Sequence, residues 1–375
     1  MPKKKSPMNI TISRSLILSI MMFATTIADS QILPNADIQQ QMLAEEQAFL
    51  ASMKPGLQHT QMLAVRAAID GDDTALQQIR ASRNAAPTLP QGVQTTYIKG
   101  AEDHLSADIC LFEPTANTAR KRPLLLYLHG GGWCFGSINS CARFCAAVAL
   151  KADCCVAALN YRLAPAHPFP TALNDCKEAF AYLSQHAAQW GCDSTLIAVG
   201  GDSAGGNLAL AAALSVKGVS KVIPIYPVTK LFSEPTASWQ EYAKGYGDDA
   251  ELLEAFNEAY AGTDTHNPLV SVGLASDEAL RALPPMLIIS AGHDILFDQT
   301  AEFAQRLQHL GCPLQYHVYP TATHLFITVP GQPTAFDQAV TTTASFLNAT
   351  AQLKQQDHCM NIADKRASPQ KSLSK

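Results

Sequence analysis

Two short motifs hold the residues best suited to chemistry. Residues 201 to 206 read Gly-Asp-Ser-Ala-Gly-Gly, and His129-Gly130-Gly131-Gly132-Trp133 lies well upstream. The first fits the Gly-x-Ser-x-Gly turn, which exposes a nucleophilic serine between a strand and a helix. The second is the kind of glycine loop that aims backbone N–H groups at an oxyanion. A lone Gly-x-Ser-x-Gly also arises by chance in glycine-rich turns, so context decides. Ahead of Ser203, Thr195-Leu196-Ile197-Ala198-Val199 is a short apolar run, as expected of a parallel strand buried on both faces. Beyond it, Asn207 to Leu214 supplies helix formers without a breaker until Gly218. Leu124-Leu125-Leu126-Tyr127-Leu128 gives the glycine loop a buried strand of its own. Both motifs, each following a strand, point to hydrolysis of an acyl bond.

A serine hydroxyl attacks only when a base removes its proton, and that base needs an acid to orient it. Met286 to Ala291 predicts a strand that ends in Gly292-His293-Asp294-Ile295-Leu296-Phe297-Asp298. Asp294 stands at the strand's carboxyl end, where catalytic groups gather in open α/β sheets. Asp298, one helical turn later, suits capping or pairing on the next helix. Leu314 to Pro320 predicts the last strand, and His324 follows in the loop after it. His129 suits bracing the glycine loop, His293 a supporting or surface place beside Asp294, and His317 packing within a strand. His167 lies in a proline-rich segment. His324 is the natural base.

These stretches resemble the hormone-sensitive-lipase-like esterases, a branch of the α/β-hydrolases. The matching residues are the His129 to Trp133 loop, Asn160-Tyr161-Arg162-Leu163-Ala164-Pro165, His167-Pro168-Phe169-Pro170, the Gly201 to Gly206 elbow, the Asp294 to Asp298 segment and His324. The resemblance runs from about residue 95 to 350. It implies Ser203 as nucleophile, His324 as general base and acid, and Asp294 as its orienting partner. It also implies oxyanion donors from the backbone of Gly130, Gly131 and Ala204. The chain departs from the family pattern at Ala166, where glutamate is usual, at Leu325, where glycine usually follows the histidine, and at Ile295, where proline is usual. No departure removes a reactive group. They bear on pocket shape and on the support of the histidine loop. The Tyr161 to Pro170 segment has no reactive group of its own, and its prolines fix backbone direction.

The elements that must position these groups follow from the rest of the chain. Strands are expected near 94–99, 107–113, 124–128, 154–160, 195–199, 221–226, 286–291 and 314–319. With helices between them they make a mostly parallel eight-stranded α/β sheet over residues 94–356. Residues 37–88 are rich in helix formers, with breaks near Pro55-Gly56 and Gly71, and read as an amino-terminal helical cap. A second cap piece is expected over 229–275, where Trp239, Tyr242, Tyr246, Phe256 and Tyr260 either line a pocket or pack a core. Residues 1–28 join Lys3, Lys4, Lys5 and Arg14 to an apolar stretch too short to span a membrane comfortably. They read as a signal peptide for export, an uncleaved anchor or a cytoplasmic chain being the alternatives. Residues 357–375 form a polar tail, expected to be disordered.

Removing residues 1–28 takes away four positive charges and no negative one, so the net charge goes from −5 to −9. That argues against nucleic acid or an anionic membrane surface as partner. A small-molecule ester is the expected partner, with no stable membrane span in the mature protein; oligomeric state is open. No zinc motif or paired Cys-x-x-Cys occurs, so neither metal nor cofactor is expected. The ten cysteines are compatible with disulfides without requiring them. Cys134, just past the glycine loop, raises the expectation of sensitivity to thiol reagents. The function expected is hydrolysis of short- to medium-chain acyl esters through an acyl-enzyme. Amides, lactones or carbamates on the same machinery, or a non-catalytic ligand-binding protein on this scaffold, are the alternatives.

Overall fold

Eight strands make one sheet in the order β1-β2-β4-β3-β5-β6-β7-β8. The structure, a computed structural model, describes residues 35–349 apart from 117 and 119. The segments expected to be a signal peptide and a polar tail, and Cys359, lie outside the described residues. The strands are β1 (Val93–Ile98), β2 (Ile109–Pro114), β3 (Arg122–Leu128), β4 (Cys155–Leu159), β5 (Cys192–Asp202), β6 (Lys221–Ile225), β7 (Met286–His293) and β8 (Leu314–Thr323). From β4 through β8 every pairing is parallel, while β1 and β2 run antiparallel at one edge. All eight strands fall where the sequence places them. Their spatial order does not follow the chain, because β4 lies outside β3.

Alternation along β3 explains the layering. Leu124, Leu126 and Leu128 join one buried cluster, and Leu125 and Tyr127 join another. Because successive side chains of a strand point to opposite faces, two cores sandwich the sheet. On the second face, α4 (Ile138–Ala152) and α11 (Pro333–Asn348) pack together. On the first, α5 (Thr171–His186) packs on α6 (Ala204–Ser215), which lies along β5 and β6. The helix α10 (Phe297–His309) covers β7. The central strands β4 and β6 are buried at every residue, as a doubly covered parallel strand requires.

The amino-terminal segment forms α1 (Ala36–Ser52), α2 (Leu57–Ile69) and α3 (Thr74–Arg83), broken near Pro55-Gly56 and Gly71 as expected. Residues 229–275 hold α7 (Ala237–Glu241) and α8 (Ala250–Ala261), and α9 (Asp277–Arg281) follows. The two regions meet, for α2 packs on α8, while α1 lies against β8 and α11. The nine described cysteines are all unpaired, and all but Cys312 are buried. Cys141 and Cys145 lie on one buried face of α4, where they pack as small apolar side chains.

Candidate active site

The parallel register sets the site. Leu128 of β3 pairs with Gly201 of β5, and Asp202 of β5 pairs with Ile225 of β6. The glycine loop after β3 and the serine turn after β5 therefore emerge side by side. Ser203 adopts φ 54° and ψ −119°, a strained conformation that ends the strand and starts α6. Its own N–H donates to the Ile225 carbonyl at 2.9 Å, which pins the turn to the neighbouring strand. A Cβ on Gly205 would lie 1.9 Å from the Leu128 carbonyl oxygen, so only glycine lets α6 begin this close to β3.

Three sequence-predicted residues, 30 and 121 positions from His324, are brought together. His324 Nδ1 donates to Asp294 Oδ2 at 2.7 Å, and Ser203 Oγ donates to Nε2 at 2.9 Å. A carboxylate can only accept, so it fixes the proton on Nδ1 and leaves Nε2 free to take one. The other Asp294 oxygen accepts from the Leu296 amide at 2.9 Å, which holds the carboxylate in place. Ser203 is 4 % exposed, and His324 and Asp294 1 % each. Burial alone would lower the imidazole pKa. Asp294, by charge and hydrogen bond, together with the charges of Asp248 and Asp202, outweighs it, and the pKa rises to about 9.

The glycine loop is braced as expected of His129. Its Nδ1–H donates to the Gly130 carbonyl at 2.8 Å, its ring stacks on Tyr161 at 4.2 Å, and Tyr161 Oη donates to its carbonyl at 2.7 Å. Burial lowers its pKa to about 4, so this imidazole is neutral. The three glycines are not equivalent. Gly130 stands against Asp202, where an added Cβ would lie 2.4 Å from Oδ2, and its amide acts on that carboxylate to lower its pKa. Among the described residues, no acceptor takes the N–H of Gly131, Gly132 or Ala204. Gly132 is thus a free donor that the sequence reasoning passed over, although the run of three glycines contained the signal.

Asp202 was read only as part of the elbow. It is buried, Tyr127 Oη donates to it at 2.9 Å, and burial pushes its pKa up to about 6. It ties the end of β5 to the glycine loop. Asp298, expected to cap or pair on its own helix α10, instead accepts from the Ser238 amide of α7 at 2.8 Å. His293 meets Glu46 of α1. Asp248, which no motif marked, places Oδ2 3.7 Å from His324 Nε2.

Of the two expected uses for the aromatic residues of 229–275, the structure shows packing: Tyr242, Phe256 and Tyr260 are in the buried core, and Trp239 and Tyr246 pack against it. Tyr260 is buried in a stack on Trp133 at 4.4 Å, a packing role. Phe256 presses on Gly132, where a Cβ would fall 2.0 Å from its ring. Tyr242 and Tyr246 face His293, and Trp239 packs at the edge of the core. The expectation for Cys134 fails on burial, which closes the thiol off from solvent and raises its pKa to about 12. Leu325 takes the left-handed φ of 73° at the position where the family has glycine.

Known proteins are similar to this chain in sequence and fold. A family model described as the alpha/beta hydrolase fold matches residues 125–328. The chain is 34 % identical over 232 residues to esterase LipI of Mycobacterium tuberculosis, covering 60 % of this chain and 72 % of that one. It is 31 % identical over 274 residues to an arylesterase of Saccharolobus solfataricus, covering 70 % and 88 %. A solved ester hydrolase from the Lake Arreo metagenome aligns with a TM-score of 0.66 at 29 % identity, covering 85 % of this chain and 100 % of that one.

Proposed function

The chain belongs to the hormone-sensitive-lipase-like branch of the α/β-hydrolases and is a carboxylic-ester hydrolase, and from that premise we propose how its own residues carry the reaction. Ser203 is the nucleophile, His324 the base and then the acid, and Asp294 the group that orients the imidazole. His324 Nε2 takes the hydroxyl proton as Ser203 Oγ bonds to the ester carbonyl carbon. Charge develops on the carbonyl oxygen, and the amides of Gly131, Gly132 and Ala204 receive it. Of the three donors expected from sequence, Gly130 contributes indirectly, by holding Asp202. The imidazolium then protonates the leaving alkoxide as the carbon–oxygen bond breaks. Water, deprotonated by the same nitrogen, releases the acid and frees Ser203.

The observation that carries these roles is the pair of His324 contacts, one ring nitrogen on Asp294 and the other on Ser203. α1 to α3 and residues 229–275 act as a cap over the site. A nucleophile this covered, with Phe256 against the glycine loop, supports short acyl chains as the preferred substrates. The substrates are small-molecule esters; export from the cell remains part of the proposal and rests on the composition of residues 1–28. The test is steady-state hydrolysis of p-nitrophenyl esters from acetyl to palmitoyl by wild type and Ser203→Ala. Rapid turnover of short esters, lost in the variant, is expected. Equal activity in both proteins would remove Ser203 from the mechanism, and a preference for palmitoyl would overturn the chain-length assignment.

A further inference from the structure

Asp248 is a buried carboxylate that the acyl-transfer steps do not use. It lies just before α8, in the segment whose Gly247 carbonyl accepts from Gln58 Nε2 of α2. Gly247 in turn packs on the His324 side chain. The Asp248 residue is 8 % exposed, and among the described residues no hydrogen-bond donor reaches its carboxylate. His324 Nε2 lies 3.7 Å from its Oδ2. In the reactive form that nitrogen is unprotonated, and the carboxylate then has no counter-charge from it.

The surrounding charges favour a cation here. Asp294 and Asp249 add negative charge at Asp248. The Arg83 cation also bears on it, but Arg83 sits over the Phe135 ring at 5.2 Å and makes no ion pair with Asp248. A buried carboxylate without a donor is costly, and a charge-assisted hydrogen bond from a ligand removes that cost.

Chemistry fixes which part of a substrate meets it. Nε2 must hand its proton to the leaving oxygen, so that oxygen passes within hydrogen-bond reach of Nε2. Asp248 Oδ2 stands 3.7 Å from the same nitrogen, and so close to where the leaving oxygen must pass. An amine carried two carbons from the ester oxygen folds back toward it in a staggered conformer and so reaches Oδ2. We infer that Asp248 is a specificity-determining residue that binds an ammonium group on the alcohol portion of the ester, a role that rests on the parts given above to Ser203 and His324.

Two acetates of nearly equal shape test this. 2-(Dimethylamino)ethyl acetate, protonated at neutral pH, is compared with 3-methylbutyl acetate, in which carbon replaces the ammonium. Each is measured as a substrate and as a competitor of p-nitrophenyl acetate, with wild type, Asp248→Asn and Asp248→Leu. Wild type is expected to favour the amine in kcat/KM by about tenfold or more, the scale of a hydrogen bond to a charged group. Both variants should bring the ratio toward one. A wild-type ratio near one, including failure of both acetates to bind, overturns the role of Asp248. So does a ratio that both variants leave unchanged. In either case Ser203-dependent turnover of p-nitrophenyl acetate keeps the esterase assignment standing. Loss of that turnover in wild type would overturn both.

Discussion

Glu46 of α1 meets the Nδ1 of His293, a residue 247 positions later in the chain and next to Asp294. Glu46 is 3 % exposed, so the amino-terminal helix reaches the loop that carries Asp294 through a buried polar contact. Tyr242 and Tyr246 close over the same histidine. Replacing Glu46 by Leu leaves His293 without its partner and is expected to destabilise the fold by about 1–3 kcal/mol. Activity on p-nitrophenyl acetate should fall as the Asp294 loop loosens, with Glu46→Gln milder on both counts. Thermal unfolding and kcat of the two variants check this; unchanged values in Glu46→Leu would show the contact to be incidental.

The pH profile of kcat/KM should report His324. The imidazole must be neutral to accept the Ser203 proton, and its surroundings raise its pKa from the ordinary 6.5 to about 9. Activity is therefore expected to rise with pH along an acid limb lying above 6.5, giving an alkaline optimum. Initial rates from pH 5 to 10 decide the matter, and a limb at or below 6.5 would contradict the electrostatics described for Asp294, Asp248 and Asp202.

Asp202 links pH to stability with the opposite sign from a salt-bridged carboxylate. Burial raises its pKa from 3.8 to about 6, so the folded state binds the proton more tightly than the unfolded chain. Its contribution is complete below 3.8 and is lost as pH rises through 6. The stability of wild type relative to Asp202→Asn should accordingly shrink between pH 4 and 7, by up to about 3 kcal/mol. Chemical denaturation of both proteins across that range tests it. A gap that widens with pH would mean that the carboxylate is stabilised as an anion.

Leu325 carries backbone strain that a glycine would not. At φ 73° a leucine stands in the left-handed region, at a cost of about 1–2 kcal/mol. Leu325→Gly gives up a half-buried side chain and gains freedom in the unfolded chain, which together consume part of that relief. A net stabilisation of up to about 1 kcal/mol is expected, or a rise of about 2–4 °C in Tm. A fall of several degrees would place the value of Leu325 in its side-chain packing instead.

The residues proposed to carry the reaction were legible because each sits at the end of an apolar strand, where a short window of sequence holds both the group and its scaffold. Ser203, Asp294 and His324 needed only that local context and their order along the chain. The strands were legible for the same reason, since two-sided burial leaves an unbroken apolar run. What supports the triad was not. Glu46 and Asp248 owe their positions to contacts with residues far away in the chain, and nothing beside them marks a site. Asp202 was visible as a letter in a motif, but its hold on Gly130 depends on how closely β3 and β5 approach. The glycine loop shows the limit most clearly, for three identical residues in a row differ only in where their amides point.

The contact between Gln58 and the Gly247 carbonyl, with α2 packed on α8, makes two distant stretches of sequence a single packed unit. An exchange of residues 36–83 with a relative would carry over one half of that unit and strand the other. Recombinants with a crossover between the two stretches should lose function often, and those that move both together should keep it. Drift in the substrates this enzyme accepts is then expected to come from paired changes across the two segments rather than from either alone.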